Sequence, residues 1–159
     1  MPITLNDLTV NFDHLDGASL IEDWQWLVGE SRYPILITAL GDAFLQDSQD
    51  GSVHLLCVGV GGLERIADGL EQFRDLLSSR AFVQARFVPA LIIQLRELGH
   101  VLEPGQLYGY RTPPVLGGSL EADNLEPTDI ALHFSLLGQI MRQVRDLPPG
   151  TPISRITID

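Results

Sequence analysis

The stretch Ser52 to Val58 constrains this chain more than any other. Val53, Leu55 and Cys57 alternate with His54, Leu56 and Val58, so a strand here carries apolar side chains on both faces and belongs in the middle of a sheet. The polar stretch Asp47-Ser48-Gln49-Asp50-Gly51 separates it from Ala43 to Gln46, its expected hairpin partner, and Tyr33 to Leu40 reads as a further strand. His54 is expected as a packed histidine and not as a ligand.

Helical periodicity surrounds these strands. Leu20, Ile21, Trp24, Leu27 and Val28 recur at helical spacing, with Ser19 and Glu22 as a capping box and Gly29 as a stop. Asp68 and Glu71 suggest a second capping box, opening a helix that buries Leu70, Phe73 and Leu77 and points Glu71 and Asp75 outward. Ala81 to Leu98 is helical but interrupted by Pro89, which fits as the first residue of a new helix ending at Gly99. Glu103 to Asn124 reads as a structured loop with a short strand at Leu107 to Arg111. Thr128 to Leu132 is expected as a strand, Ser135 to Arg145 as the last helix, and Ile156 and Ile158 alternate as in a strand. These elements predict one α+β domain over residues 1–159, with a mixed or antiparallel sheet of about four to six strands and helices packed mainly on one face.

Charge narrows the functional classes. The chain has 21 acidic and 10 basic residues, a formal net charge of -11, and all ten basic residues are arginine. Residues 1 to 79 hold 13 acids and 3 arginines, whereas residues 80 to 159 hold 8 and 7. Nucleic acid and anionic membrane are disfavoured as partners, and the acidic field serves either solubility or the steering of a basic partner. With no basic stretch leading an apolar run at the N-terminus, and apolar stretches too short to span a bilayer, a cytoplasmic protein is expected. The lone Cys57 lies in an apolar run and reads as a small packed side chain.

Chemistry-bearing motifs do not assemble. Gly59-Val60-Gly61-Gly62 follows a strand, but Glu64 occupies the third glycine position of a dinucleotide loop, so a glycine-rich turn is expected. Without lysine there is no Walker loop. Asp47, Asp50 and Gly51 lack the alternating ligands of a calcium loop, and His14, His54, His100 and His133 are scattered without zinc spacing. No serine lies in a nucleophile elbow, and Glu121, Asp123, Glu126 and Asp129 read as a solvated acidic surface. No catalytic residue, metal site or cofactor is therefore expected. Trp24 and Trp26, two apart on a helix, are expected to point to different sides, with Trp26 as a candidate contact.

Gln106 to Gly118 (QLYGYRTPPVLGG), Asp123 to Ile140 (DNLEPTDIALHFSLLGQI) and Asp146 to Gly150 (DLPPG) resemble the C-terminal domain family of bacterial type VI secretion immunity proteins. Gly41-Asp42-Ala43-Phe44 and the strand before Gly59 extend the resemblance over roughly residues 30 to 150. Many relatives carry a further domain, described as GAD-like, for which this sequence is short, and Leu107 and Met141 stand where Cys and His are expected. The resemblance implies a cytoplasmic protein that binds and neutralises a cognate toxin, in part of the family a DNase. It implies architectural roles for Tyr108, Pro113, Pro114, Gly117, Gly118, Phe134 and Gly138. Partner contacts are then expected from exposed acids of the first half, Asp42, Asp47, Asp50, Glu64, Asp68, Glu71 and Asp75, with Trp26 as an anchor. The alternative is a small enzyme or ligand-binding protein with a pocket near Pro113 to Gly118 and the acids Glu121 and Asp123.

Overall fold

The computed structural model describes residues 3–148, 150–153 and 155–159. Its centre is an antiparallel five-stranded meander, in order β1 (Thr9–Val10), β2 (Arg32–Thr38), β3 (Ala43–Asp47), β4 (Val53–Cys57) and β5 (Gly62–Ala67). β4 is central, as its two apolar faces require, and pairs with β3 on one side and β5 on the other. β5 is a strand not expected from the sequence, reached through the glycine-rich turn at Gly59 to Gly62. The glycines turn a hairpin, with Gly61 at φ 66°. A Cβ there would stand 2.5 Å from the Met141 methyl carbon.

The sheet separates two cores. Phe44, Val53 and Leu55 join Phe73, Phe87, Ile92 and Leu95 on one face. Ala43, Leu45, Leu56 and Val58 join Trp24, Val28, Phe134 and Leu137 on the other. Helices thus cover both faces, not mainly one, because consecutive residues of β3 and β4 alternate in direction and both sets must leave water.

The first core is roofed by α3 (Leu70–Leu77), α4 (Arg80–Phe87) and α5 (Pro89–Glu97). The α4–α5 break falls where Pro89 places it, with Pro89 as the first residue of α5. The preceding Val88 takes φ 46°, the one positive φ at a non-glycine among the described residues and an uncommon conformation for a β-branched residue. The capping box expected for α3 does not form. Gly69 is the N-cap, and the Asp68 amide instead donates to Gln72 Oε1 at 2.7 Å. Of the expected stripe, Phe73 is buried but Leu70 is exposed.

The second core is closed by α1 (Gly17–Leu20), α2 (Gln25–Val28) and the long α6 (Ile130–Val144). The single helix expected from Leu20 to Val28 is broken into short turns. Its cap is Asp16, whose carboxylate accepts from the Ser19 amide and hydroxyl, in place of the Ser19–Glu22 box. Trp24 Nε1 donates to the Phe134 carbonyl at 2.8 Å, tying this segment to α6. α6 approaches closely at Gly138, where a Cβ would lie 2.7 Å from the Asp23 carbonyl oxygen.

β6 (Gln106–Tyr110) and β7 (Leu125–Asp129) form a separate antiparallel pair. The Tyr108 amide joins that pair to the end of β2 by donating to the Ala39 carbonyl at 2.7 Å. The strand expected at Thr128 to Leu132 begins earlier and stops at Asp129, whose carboxylate accepts from the Leu132 amide at 2.9 Å and starts α6. Asn124 braces the intervening loop by binding Thr112 and Ser119. The C-terminal residues around Ile156 and Ile158, expected as a strand, form none among the described residues. They run along α6, where the Thr157 and Asp159 amides donate to the Gln143 and Gln139 side chains.

Candidate functional site

The acids proposed from the sequence fall into three structural situations. Asp50, Glu64, Asp68, Glu71 and Asp75 are exposed. Arg65 on β5 joins two of them, lying 3.4 Å from Asp50 and 3.0 Å from Asp68, so the β3–β4 turn and the β5–α3 connection share one charged surface. Serine donors in the turn hold the Asp50 carboxyl below the usual carboxylate range. Glu71 and Asp75, one helical turn apart, stay on the exposed side of α3.

Asp47 is a correction. Expected as an exposed contact, it is only 7% exposed and fully engaged inside the molecule. Its carboxylate lies 3.3 Å from Arg32 Nε and accepts from the Gln49 amide and the Ser31 hydroxyl. It ties the end of β3 to the start of β2. Next to it, Ser52 donates to Asp50 and meets His54 Nε2 at 2.9 Å, so His54 is packed as expected.

Asp42 is the second correction, being half-buried and facing inward. It ends the β2–β3 turn, where its amide donates to Thr38 Oγ1 and its Oδ1 accepts from the Val58 amide at 3.1 Å. The carboxyl lines a small cavity of about 120 Å³ together with Cys57, Arg86, Val88 and Tyr110. Burial pushes the Asp42 carboxyl up to about 7, against the pull of the Val58 N–H and the Arg86 charge. Burial and the neighbouring Asp42 push the Cys57 thiol up to about 11, which leaves it an inert thiol at neutral pH. The Tyr110 hydroxyl is pushed up by the same causes. Arg86 turns to Glu64, at 3.1 Å.

Trp26 lies on the helical layer across the sheet from α3, apart from the acidic surface. The two tryptophans do not diverge. Their rings stack at 5.7 Å because the backbone between them passes from a 3-10 turn into α2. Arg145 covers the Trp26 ring at 5.0 Å. The residues assigned architectural roles sit accordingly: Tyr108 and Phe134 are buried, and a Cβ on Gly118 would collide with the Thr112 carbonyl oxygen at 1.7 Å. Leu107 and Met141 pack in the same core.

A larger surface cavity, of about 610 Å³, is lined by Leu98, His100, Arg111, Leu120, Glu121 and Asp123 among others. It contains the acids of the alternative reading but not Pro113 to Gly118. Neither a hydrogen bond nor an ion pair links His100, Arg111, Glu121 and Asp123 to one another among the described residues. Among those residues no group of three His, Cys, Asp or Glu side chains converges on a metal position.

These features define an acidic α+β domain with a central antiparallel meander clad by helices on both faces. Within it, residues 67–141 match the family described as T6SS immunity protein Tdi1, C-terminal, which bears out the resemblance over just under half of the chain. That segment begins at the end of β5 and runs through most of α6. The fold is similar to that of Atu4351 from Agrobacterium tumefaciens, known from a crystal structure, with a TM-score of 0.59 and 15% identity over 89% of this chain and 73% of that one. At that identity the likeness establishes the fold alone. No curated protein matches the chain.

Proposed function

We propose that this protein is a cytoplasmic immunity protein that binds a cognate type VI toxin stoichiometrically and holds it inactive, without catalysis of its own. The match of residues 67–141 to the immunity family carries this reading. The charge of -11 supports a toxin with a basic surface, as a nuclease must present to phosphate, and such complementarity speeds encounter between partners. The exposed acids Asp50, Glu64, Asp68, Glu71 and Asp75 are the proposed first contacts, with Trp26 on a separate surface. No helix among the described residues is long and apolar enough to cross a membrane.

Co-expression with the toxin candidate encoded beside this gene tests the reading directly. Restored growth together with a one-to-one complex is the expected outcome, and growth arrest without any complex overturns it. Replacing the five acids by Asn or Gln is expected to weaken the complex at least tenfold, as read by titration calorimetry. Unchanged affinity removes the acidic surface from the interface. The alternative, a small enzyme or ligand-binding protein, rests on the cavity holding Glu121 and Asp123, and saturable binding of a small molecule there would favour it.

A further inference from the structure

The small cavity beneath α4 has more hydrogen-bonding capacity than the protein uses. Asp42 Oδ1 accepts from Val58, while Asp42 Oδ2 and the Tyr110 hydroxyl, both at the lining, have no hydrogen-bond partner among the described residues. Above them Leu40, Leu55 and Val88 form an apolar sleeve. Arg86, half-buried, and the exposed Ala85 and Leu120 complete the lining. At about 120 Å³ the space is small. It suits a compact head group with a short alkyl stem.

Charge selects the sign of that head group. The Arg86 guanidinium is matched by Glu64 at 3.1 Å and is the least of the influences on Asp42, which leaves Asp42 as a carboxyl of the lining without an ion pair among the described residues, inside a molecule of net charge -11. We propose that this cavity binds a primary alkylammonium group, presented by the toxin as the end of a lysine side chain. The carboxylate and the Tyr110 oxygen accept from the ammonium, and the sleeve covers its methylenes, as lysine stems are covered elsewhere. The toxin as the source of the lysine rests on the immunity reading above, whereas the chemistry of the cavity does not.

Binding is coupled to a proton. The groups facing Asp42 are the Val58 amide and Cys57 thiol of the β4 end, the Tyr110 hydroxyl of β6, and Arg86 of α4 with its partner Glu64 of β5. With burial holding the carboxyl near pKa 7, the cation must displace the proton to bind, so affinity rises with pH through neutrality.

The probe is n-butylammonium chloride, titrated into the full chain at pH 6 and pH 8, with sodium butyrate and tetramethylammonium chloride at equal ionic strength as controls. The readout is the NMR signals of the Val58 and Cys57 backbone amides, beside Asp42 and in the cavity wall. Saturable shifts with butylammonium alone, about tenfold weaker at pH 6 than at pH 8, and lost in Asp42→Asn, are expected. Absence of saturation, equal binding to Asp42→Asn, or a preference for butyrate overturns the proposal. If Asp42→Asn does not fold, Tyr110→Phe serves instead, with weakening of several-fold expected and no change overturning it. The toxin candidate is then titrated against wild type and Asp42→Asn. Loss of affinity and of its pH dependence in the variant is expected, and unchanged affinity overturns the assignment of the lysine to the toxin. If wild type takes butylammonium but not the toxin, the immunity reading fails and the cavity chemistry stands.

Discussion

His133 and Asp42 meet at the same turn and respond to acid in opposite ways. His133 is buried, with Nε2 donating to the Gly41 carbonyl at 2.9 Å, and burial lowers its pKa to about 4. Between about 4 and the unfolded value near 6.5 the unfolded chain holds the extra proton, so this group's stability is lost as pH falls through that window. Asp42 is raised to about 7, so the native state holds the extra proton between about 4 and 7. Its contribution is therefore present at low pH and lost as pH rises through 7. The two slopes offset each other between about 4 and 6.5. Asp42→Asn removes one of them: urea unfolding is expected to show a variant more stable than wild type above pH 7, losing stability more steeply on acidification, by up to about 1.4 kcal/mol per pH unit. Parallel curves would contradict the assignment. Gly41 holds the pair together at φ 91°, and a Cβ there would sit 2.2 Å from His133 Nε2. Gly41→Ala is expected to cost more than about 2 kcal/mol, read from the same denaturant midpoints.

Elements whose signal is local were legible in the sequence. Pro89 at the start of α5 and the apolar alternation of β4 are statements about adjacent residues, and both elements form where expected. β5 was not legible because Leu63-Glu64-Arg65-Ile66 breaks alternation with two charges, and its pairing is set by β4 beside it. β7 was misplaced because Glu126-Pro127 reads as loop, while the register opposite Gln106 to Tyr110 makes it a strand. Its last residue also starts the next element. Asp129→Ala is expected to destabilise the fold by about 1 kcal/mol through loss of the α6 cap, measurable as a lowered thermal midpoint, with Asp129→Ser retaining most of the stability.

For the molecule as a whole, the layers distribute the charges. α3 and the sheet end carrying Asp50, Arg65 and Asp68 present acids to solvent, while Trp26 belongs to the layer across the sheet. In the proposed complex, long-range attraction between the -11 chain and a basic toxin would be screened over about 8 Å at physiological salt. Stopped-flow association with the toxin candidate is thus expected to slow at least tenfold between 50 mM and 500 mM salt, with dissociation far less affected. An association rate independent of salt would remove electrostatic steering from the mechanism. Of the proposed contact surface, only the excess of acids in the first half of the chain was legible, since net charge and its asymmetry are countable. Which acids face outward was not.

Asp42 and Asp47 make the distinction concrete. Composition and periodicity alone determined an acidic α+β domain, the central position of β4 and the paired helices around Pro89, because each depends on residue type or near-neighbour spacing, while particular motifs of the C-terminal half carried the family resemblance. Only the tertiary structure decided that helices cover both faces, that Asp47 is consumed by Arg32 and Ser31, and that Asp42 meets Tyr110 and Arg86 around a cavity. A residue's polarity sets what its environment must supply. Which partner supplies it depends on chain segments brought together only when the sheet and its two helical layers close.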